Sequence, residues 1–405
     1  MKEKTAVTQE NSSRRRGNSY PQYTLAGDEP LYKLIFPLSE WYRAAARPLP
    51  WREDPTPYHV WISEVMLQQT RVEAVKPYYA RFLSVAPDIA SLASLPEDRL
   101  MKLWEGLGYY SRARHLKQAA ELLMEKYGGE MPGDYPALLS LPGVGEYTAG
   151  AISSIAFGLP FPAVDGNVLR VFARLCAEEG EIGRPEIRGR IAGALSELYA
   201  HLPPRKEGDP AGRSPAGILT QAWMELGQVL CTPGASPRCE ECPLCRLCRG
   251  REEGRAGALP VRTSRTPRRI LHRLVLVLCD ADGRYAVRRR PKEGLLAGLW
   301  ELPALDLPDG QRSIAELEEE ALTFCTAYGL VPGEMADIGK AQHLFTHLEW
   351  QMQGLFLNVK RSDAEGSLEN GTSPGLTFVR PEELRERYAL PTAYRAYVRY
   401  ITGQH

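Results

Sequence analysis

No run of eighteen apolar residues occurs in this 405-residue chain, so neither a transmembrane helix nor a membrane partner is expected. The N-terminal stretch Met1–Gly27 lacks the apolar centre of a secretory signal. It is polar, carries Arg14, Arg15 and Arg16, and reads as a disordered basic tail over residues 1–29. An excess of either charge is also missing, because 50 Lys and Arg balance 50 Asp and Glu. Bulk charge therefore gives no support for a nucleic-acid partner, and any such case rests on local patches. Internal repeats are absent. Cysteine is scarce outside one segment: five of the eight fall between Cys231 and Cys248. Without an export signal such clustering points to metal or cluster ligation, not disulfides, and to a cytoplasmic location, at the nucleoid if the source is bacterial.

What is present fits a soluble globular protein of two or three domains, with 43% hydrophobic and 25% charged residues. From about Leu31 to Gly227 apolar stripes recur at helical spacing, as in Tyr58, Trp61, Ile62, Val65 and Met66. Pro203–Gly217 is rich in Pro, Gly and charge and reads as a mobile loop between two helices. The cysteine module 231–248 closes a helical domain spanning 30–248. Residues 249–269 hold seven Arg against two Glu and read as a basic linker. From Ile270 the texture changes. Leu271–Cys279 and Arg284–Val287 flank an Asp282-Gly283 turn as a hairpin. A helix near Ile314–Tyr328, strands near Leu344–Val359 and a last helix near Pro381–Arg387 complete an α+β domain over 270–405.

Four constellations carry chemistry. In Leu141-Pro142-Gly143-Val144-Gly145, Gly143 and Gly145 permit a tight turn ahead of a helix near Glu146. The free N–H groups of that helix start suit a phosphate, although the pentapeptide equally reads as an ordinary interhelical turn. In Val164-Asp165-Gly166-Asn167-Val168, Asp165 reads as a helix cap by itself. In Trp61-Ile62-Ser63-Glu64-Val65-Met66-Leu67-Gln68-Gln69-Thr70, periodicity places Glu64 on the flank of the apolar stripe, where a solvated carboxylate is the default. Cys231, Cys239, Cys242 and Cys248 form one four-thiolate set, and Cys239, Cys242, Cys245 and Cys248 form another. Either suits a [4Fe–4S] cluster, with zinc as the alternative.

The Gly143–Gly145 hairpin followed by Asp165 resembles the helix-hairpin-helix DNA repair glycosylases over roughly residues 50–250. The decapeptide around Glu64 is similar to the signature of the adenine DNA glycosylases of the MutY type. The resemblance implies a multidomain chain: an all-α helix-hairpin-helix domain with a [4Fe–4S] module, then an α+β Nudix-like domain. It implies that Glu64 protonates the adenine ring and that Asp165 stabilises the oxocarbenium ion. Two carboxylates in separate roles make chemical sense, because adenine leaves poorly unless protonated and the sugar then turns cationic. The acid needs a raised pKa, which burial supplies. Endonuclease III relatives carry a Lys at the position of Tyr147, and Tyr cannot form a Schiff base, so base release without strand cleavage is expected. The family's first cysteine gap has six residues where Thr232–Arg238 has seven, and the set beginning at Cys231 is favoured because a Pro/Gly-containing loop can absorb the extra one.

The same resemblance assigns Gln69 and the Tyr109-Tyr110 pair, Tyr110 foremost, to wedging the duplex when adenine leaves the stack. It assigns Arg52 and Gln221 to the adenine pocket and Asn167 to DNA contact. Gly294–Pro303 looks Nudix-like, but Leu317-Glu318-Glu319-Glu320-Ala321 lacks the Arg-Glu spacing of a hydrolytic Nudix box, so this domain is expected to bind and not hydrolyse. Phe345-Thr346-His347 resembles a loop that contacts 8-oxoguanine. The expectation is a monomeric, monofunctional glycosylase of base excision repair acting on duplex DNA with A opposite 8-oxoguanine or guanine, a replication clamp being a further candidate partner. A bifunctional endonuclease III-like lyase is the alternative, opposed by Tyr147. A non-catalytic Fe–S DNA binder is opposed by Glu64 with Asp165, and a nucleotide pyrophosphatase by the broken box.

Overall fold

The structure, a computed structural model, describes residues 23–262, 267–308, 310, 312–361, 372–373 and 375–403. They form two units. One comprises the N-terminal residues to Arg47 with Gly158–Arg262, and the other Pro48–Phe157 with Thr263–His405. No helix among the described residues is long and apolar enough to cross a membrane.

The first unit is helical. Helices Ile35–Ala45, Gly166–Leu175, Pro185–Ala200 and Pro215–Val229 surround a core that includes Leu38, Phe172, Leu195, Tyr199 and Trp223. Residues 1–22 of the expected tail lie outside the described residues, but its last seven do not behave as a tail. Leu25 is fully buried, and Arg249 clasps the Thr24 hydroxyl, the Leu25 carbonyl and Asp28. The expected linker is likewise packed over its first half. Arg249–Glu252 is a helical turn in which Gly250 meets the Arg174 carbonyl so closely that a Cβ would stand 2.4 Å from it. Ala256 and Leu259 are buried. Composition missed this because the two segments gain their partners from distant parts of the chain: from each other, from helix Gly166–Leu175, and from Glu178, Glu179 and Glu240. The Pro203–Gly217 loop ends earlier than expected, since Ser214 caps a helix that starts at Pro215.

The second unit joins a helical part and a sheet. Helices Pro57–Leu67, Val72–Val85, Glu97–Trp104, Ser111–Tyr127 and Glu146–Ala151 make up most of the former. The sheet is built on strands Arg269–Cys279 and Leu348–Arg361, paired in parallel, with Leu330–Leu344 antiparallel to the latter. Leu274, Leu276 and Leu278 face helix Ile314–Ala327, and Val275 and Val277 face the C-terminal helices, so both faces are dry and the strand reads as one apolar run. Several elements escaped the sequence reading, among them strand Leu330–Leu344, mostly exposed and without clear alternation, the short strands Ala304–Leu307 and Leu376–Val379, and a final helix Arg395–Thr402 beyond Pro381–Glu386. The sheet domain is bonded to the helical part of its unit: Lys102 donates to the carbonyls of Leu384 (3.2 Å) and Tyr388 (3.0 Å), and Glu105 accepts from the Leu390 amide at 2.8 Å.

Candidate active site and cysteine module

Helix Pro57–Leu67 has Thr56 as cap and Pro57 at its first position, and then almost nothing but buried side chains. Tyr58 and every residue from Val60 to Met66 are buried, so the helix has no solvated face for Glu64 to occupy. Glu64 is 4% exposed, which corrects the solvated default. Burial disfavours the ionised form of a carboxyl group. The half-buried Tyr147 donates its hydroxyl to Glu64 Oε2. Tyr147 lies in the first turn of helix Glu146–Ala151, which begins directly after the glycine hairpin. Gly143 has φ +73°, and a Cβ there would stand 2.5 Å from that of His115, so only glycine fits. Gly145 is exposed and nothing lies within 4 Å of where its Cβ would be, which leaves its surface open to a close-approaching backbone. Tyr147 therefore ties the helix after the hairpin directly to Glu64.

Arg112, two residues beyond the Tyr109-Tyr110 pair and given no role from sequence, proves to be the organiser of this site. Its guanidinium donates to the carbonyls of Val65 (2.6 Å), Met66 (3.1 Å) and Gln68 (2.8 Å) at the end of the Glu64 helix, and of Leu107 (3.2 Å) and Gly108 (3.1 Å) in the glycine turn. It satisfies the orphan carbonyls of a helix end and, at 8% exposure, anchors that end to the turn. Burial lowers its pKa to about 10, which leaves it charged at neutral pH. Gln69 and Tyr109 leave the two anchored segments with left-handed backbones, φ 59° and 48°, and both side chains are exposed. Such conformations cost a non-glycine residue energy and persist where the surroundings impose them. Tyr110 turns the other way and is 6% exposed, so of the pair it is Tyr109, and not Tyr110 as expected, that reaches the surface. Arg52 is half-buried in the short helix Pro50–Glu53.

Phe345, Thr346 and His347 form the tip of the hairpin between strands Leu330–Leu344 and Leu348–Arg361. Phe345 packs edge-on against Trp350 and His343, ring centroids 4.9 and 4.6 Å away, so it anchors the tip. Thr346 and His347 are exposed, and Thr346 Oγ1 lies 2.9 Å from the Tyr109 hydroxyl in the same unit. On helix Ile314–Ala327, Glu316 closes a capping box with Ser313 and Glu320 pairs with Arg312. Two carboxylates of the broken Nudix box region thus serve structure.

In the other unit Asp165 caps helix Gly166–Leu175. Its Oδ1 accepts from the amides of Asn167 and Val168 at 2.9 and 2.8 Å, and its Oδ2 from the Asn167 side chain at 2.6 Å. The capping reading is correct, and it also fixes the carboxylate, which remains half-buried. Two buried arginines one turn apart follow on the same helix, and neither was singled out from sequence. Arg170 joins the Asn167 amide oxygen (3.0 Å) to the carbonyls of Gly227 (2.7 Å) and Cys231 (3.0 Å). Arg174 lies 3.4 Å from Cys231 Sγ and donates to the carbonyls of Thr232, Gly234 and Leu259. Gln221 is 7% exposed, with its amide taken by the Tyr42 hydroxyl and by the carbonyls of Gly212 and Gly217.

The five clustered cysteines border one small cavity beside Arg174. Burial pushes the thiols of Cys242 and Cys248 up to about 12 and about 11. Cys231 and Cys239 raise both further, and burial together with Cys231 raises Cys239. Cys245 borders the cavity but is not among the thiols that raise them. A buried ring of thiols that repel one another as thiolates becomes stable when cationic charge sits among them. Among the described residues no three His, Cys, Asp or Glu gather as ligands of a single ion would.

Residues 62–195 match the HhH-GPD superfamily of base excision DNA repair proteins, and residues 274–400 match the NUDIX domain. The adenine DNA glycosylase of Rattus norvegicus is 33% identical over 90% of this chain and 78% of its own length. That of Homo sapiens is 33% identical over 91% of this chain and 73% of its own. A solved thermostable thymine-DNA glycosylase is 26% identical with a TM-score of 0.46, over 55% of this chain and 97% of its own.

Proposed function

Because the chain belongs to the adenine DNA glycosylases of base excision repair, we propose that it hydrolyses the N-glycosidic bond of adenine paired with 8-oxoguanine or guanine in duplex DNA. The observation that carries this reading is the burial of Glu64 with the Tyr147 hydroxyl on its carboxyl group. Glu64 gives a proton to a ring nitrogen of the extruded adenine as the C1′–N9 bond breaks and its electron pair passes to the base. The Asp165 carboxylate, held by three hydrogen bonds, stabilises the cationic sugar without having to reorganise. Water adds to C1′ and loses its proton, leaving an abasic site. Tyr147 offers no amine, so the strand stays intact.

Cys231, Cys239, Cys242 and Cys248 fit a [4Fe–4S] cluster as its ligands, with Arg174 against Cys231 and backbone N–H groups lowering the pKa of Cys242 and Cys248. When bound, the cluster supplies the charge that makes four partly buried thiolates tolerable and cross-links the module. Gln69 and Tyr109 wedge the duplex, the glycine hairpin holds a phosphate, and Thr346 and His347 read the base opposite adenine. The protein works as a monomer, and the sheet domain binds without hydrolysing.

The test is single-turnover release of adenine from a duplex bearing A opposite 8-oxoguanine, with strand breaks scored before and after alkali. Glu64→Gln should slow release by on the order of 10²–10⁴-fold while DNA binding survives. Near-normal release by that variant would remove Glu64 from the chemistry, and breaks before alkali would favour a lyase.

A further inference from the structure

Helix Arg395–Thr402 presents Arg395 and Arg399 on one exposed face, one turn apart. Arg395 sits in the first turn, where the helix dipole is positive, and no acidic residue accompanies it there. Like charges four apart also oppose each other, although Arg399, in the last turn, is favoured by the dipole that disfavours Arg395. Neither forms an ion pair among the described residues, and the Arg399 guanidinium rests only on Tyr400. The two arginines line a groove together with Ala341 and Gln342 of strand Leu330–Leu344 and with Thr392 and Ala396. Among the described residues no carboxylate lines it. In a chain of zero net charge, a groove lined by arginine, small residues and neutral polar groups is a local exception.

We propose that this groove follows the phosphate backbone of duplex DNA, on the strand whose base meets the Thr346-His347 tip. The inference rests on the glycosylase reading above and extends it to a backbone contact of the sheet domain. The strand that walls the groove leads directly into that tip. Gln342 precedes Thr346 by four residues, roughly 13 Å of strand at about 3.3 Å per residue. That distance spans about four base-pair steps at about 3.4 Å each, so the groove lies within reach of the phosphates of a duplex read at the tip. Small residues on the groove wall permit close approach, and the arginines supply neutralising charge without base preference.

The test is equilibrium binding of the full-length protein to an undamaged duplex over a range of salt concentrations. In Arg395→Ala/Arg399→Ala the slope of log affinity against log salt should become shallower by about 1.8, two contacts at about 0.9 each. Arg395→Lys/Arg399→Lys should restore most of it, since phosphate accepts either point charge. Arg387→Ala, an exposed arginine of the same domain outside the groove, should leave the slope unchanged. An unchanged slope in the double alanine variant, or an equal change in Arg387→Ala, overturns the proposal and leaves the groove to an acidic protein segment. Adenine release by the wild type is measured alongside. A wild type that releases no adenine while the double variant loses slope would sink the glycosylase reading and keep the groove, and the converse result would do the reverse.

Discussion

Tyr147 is the residue at which the hairpin and the acid meet. Its hydroxyl touches Glu64 while its backbone begins the helix that follows Gly145. A hydrogen bond to a charged carboxylate, which Glu64 becomes as it gives up its proton, is worth roughly 1.5–3 kcal/mol. Tyr147→Phe keeps the ring and removes the hydroxyl that makes this bond. Single-turnover adenine release should therefore fall by on the order of 10- to 100-fold, less than for Glu64→Gln. A rate within twofold of wild type would reduce Tyr147 to packing. The identity of both residues was legible from the motif, and the burial of Glu64 was expected from the family resemblance but not from periodicity. The apolar stripe left it on a flank, and only the surrounding helices closed that flank.

Helix Gly166–Leu175 connects two functions along one face. Its cap is Asp165, and one and two turns on, Arg170 and Arg174 fasten the segment that carries Cys231. Sequence supplied the cysteines and left two ligand sets open, because spacing cannot tell which thiols face inward. All five clustered thiols line one cavity, and the set that begins at Cys231 is the one proposed because a Pro/Gly-containing loop can absorb the extra residue of its first gap. Purified protein should be yellow-brown and contain iron. Cys231→Ser should lower the iron content, whereas Cys245→Ser should leave it as in wild type. Iron lost from Cys245→Ser and retained in Cys231→Ser would install the other set.

At the scale of the molecule, the sheet domain shares a unit with the part of the chain that carries Glu64, Gln69 and Tyr109. The contact of Tyr109 with Thr346 places the wedge beside the hairpin tip. Losing one good contact to a base edge costs roughly 1–3 kcal/mol of discrimination. Thr346→Ala and His347→Ala should each narrow the preference for 8-oxoguanine over guanine by up to that amount, with adenine release opposite guanine little changed. A double-mutant cycle of Tyr109→Phe and Thr346→Val, read on the same preference, should give a coupling of about 0.5–3 kcal/mol. Strict additivity would mean that wedge and tip act independently.

The sequence by itself determined the glycine hairpin, the identities of Glu64, Asp165 and Tyr147, the cysteine module and the change of texture at Ile270. Each depends on residue type and short spacing: a left-handed turn needs glycine, a cluster needs thiolates, and a buried strand needs an apolar run. Only the tertiary structure decided that Tyr109 and not Tyr110 is exposed, that Phe345 anchors while Thr346 and His347 face outward, and that Arg112, Arg170 and Arg174 are buried organisers. It also decided that residues 23–29 and most of 249–262 pack instead of trailing. The physical reason is common to all of these. An arginine is buried when carbonyls from distant segments converge on it, and a polar segment packs when another segment brings its complement, and neither condition is written in local sequence.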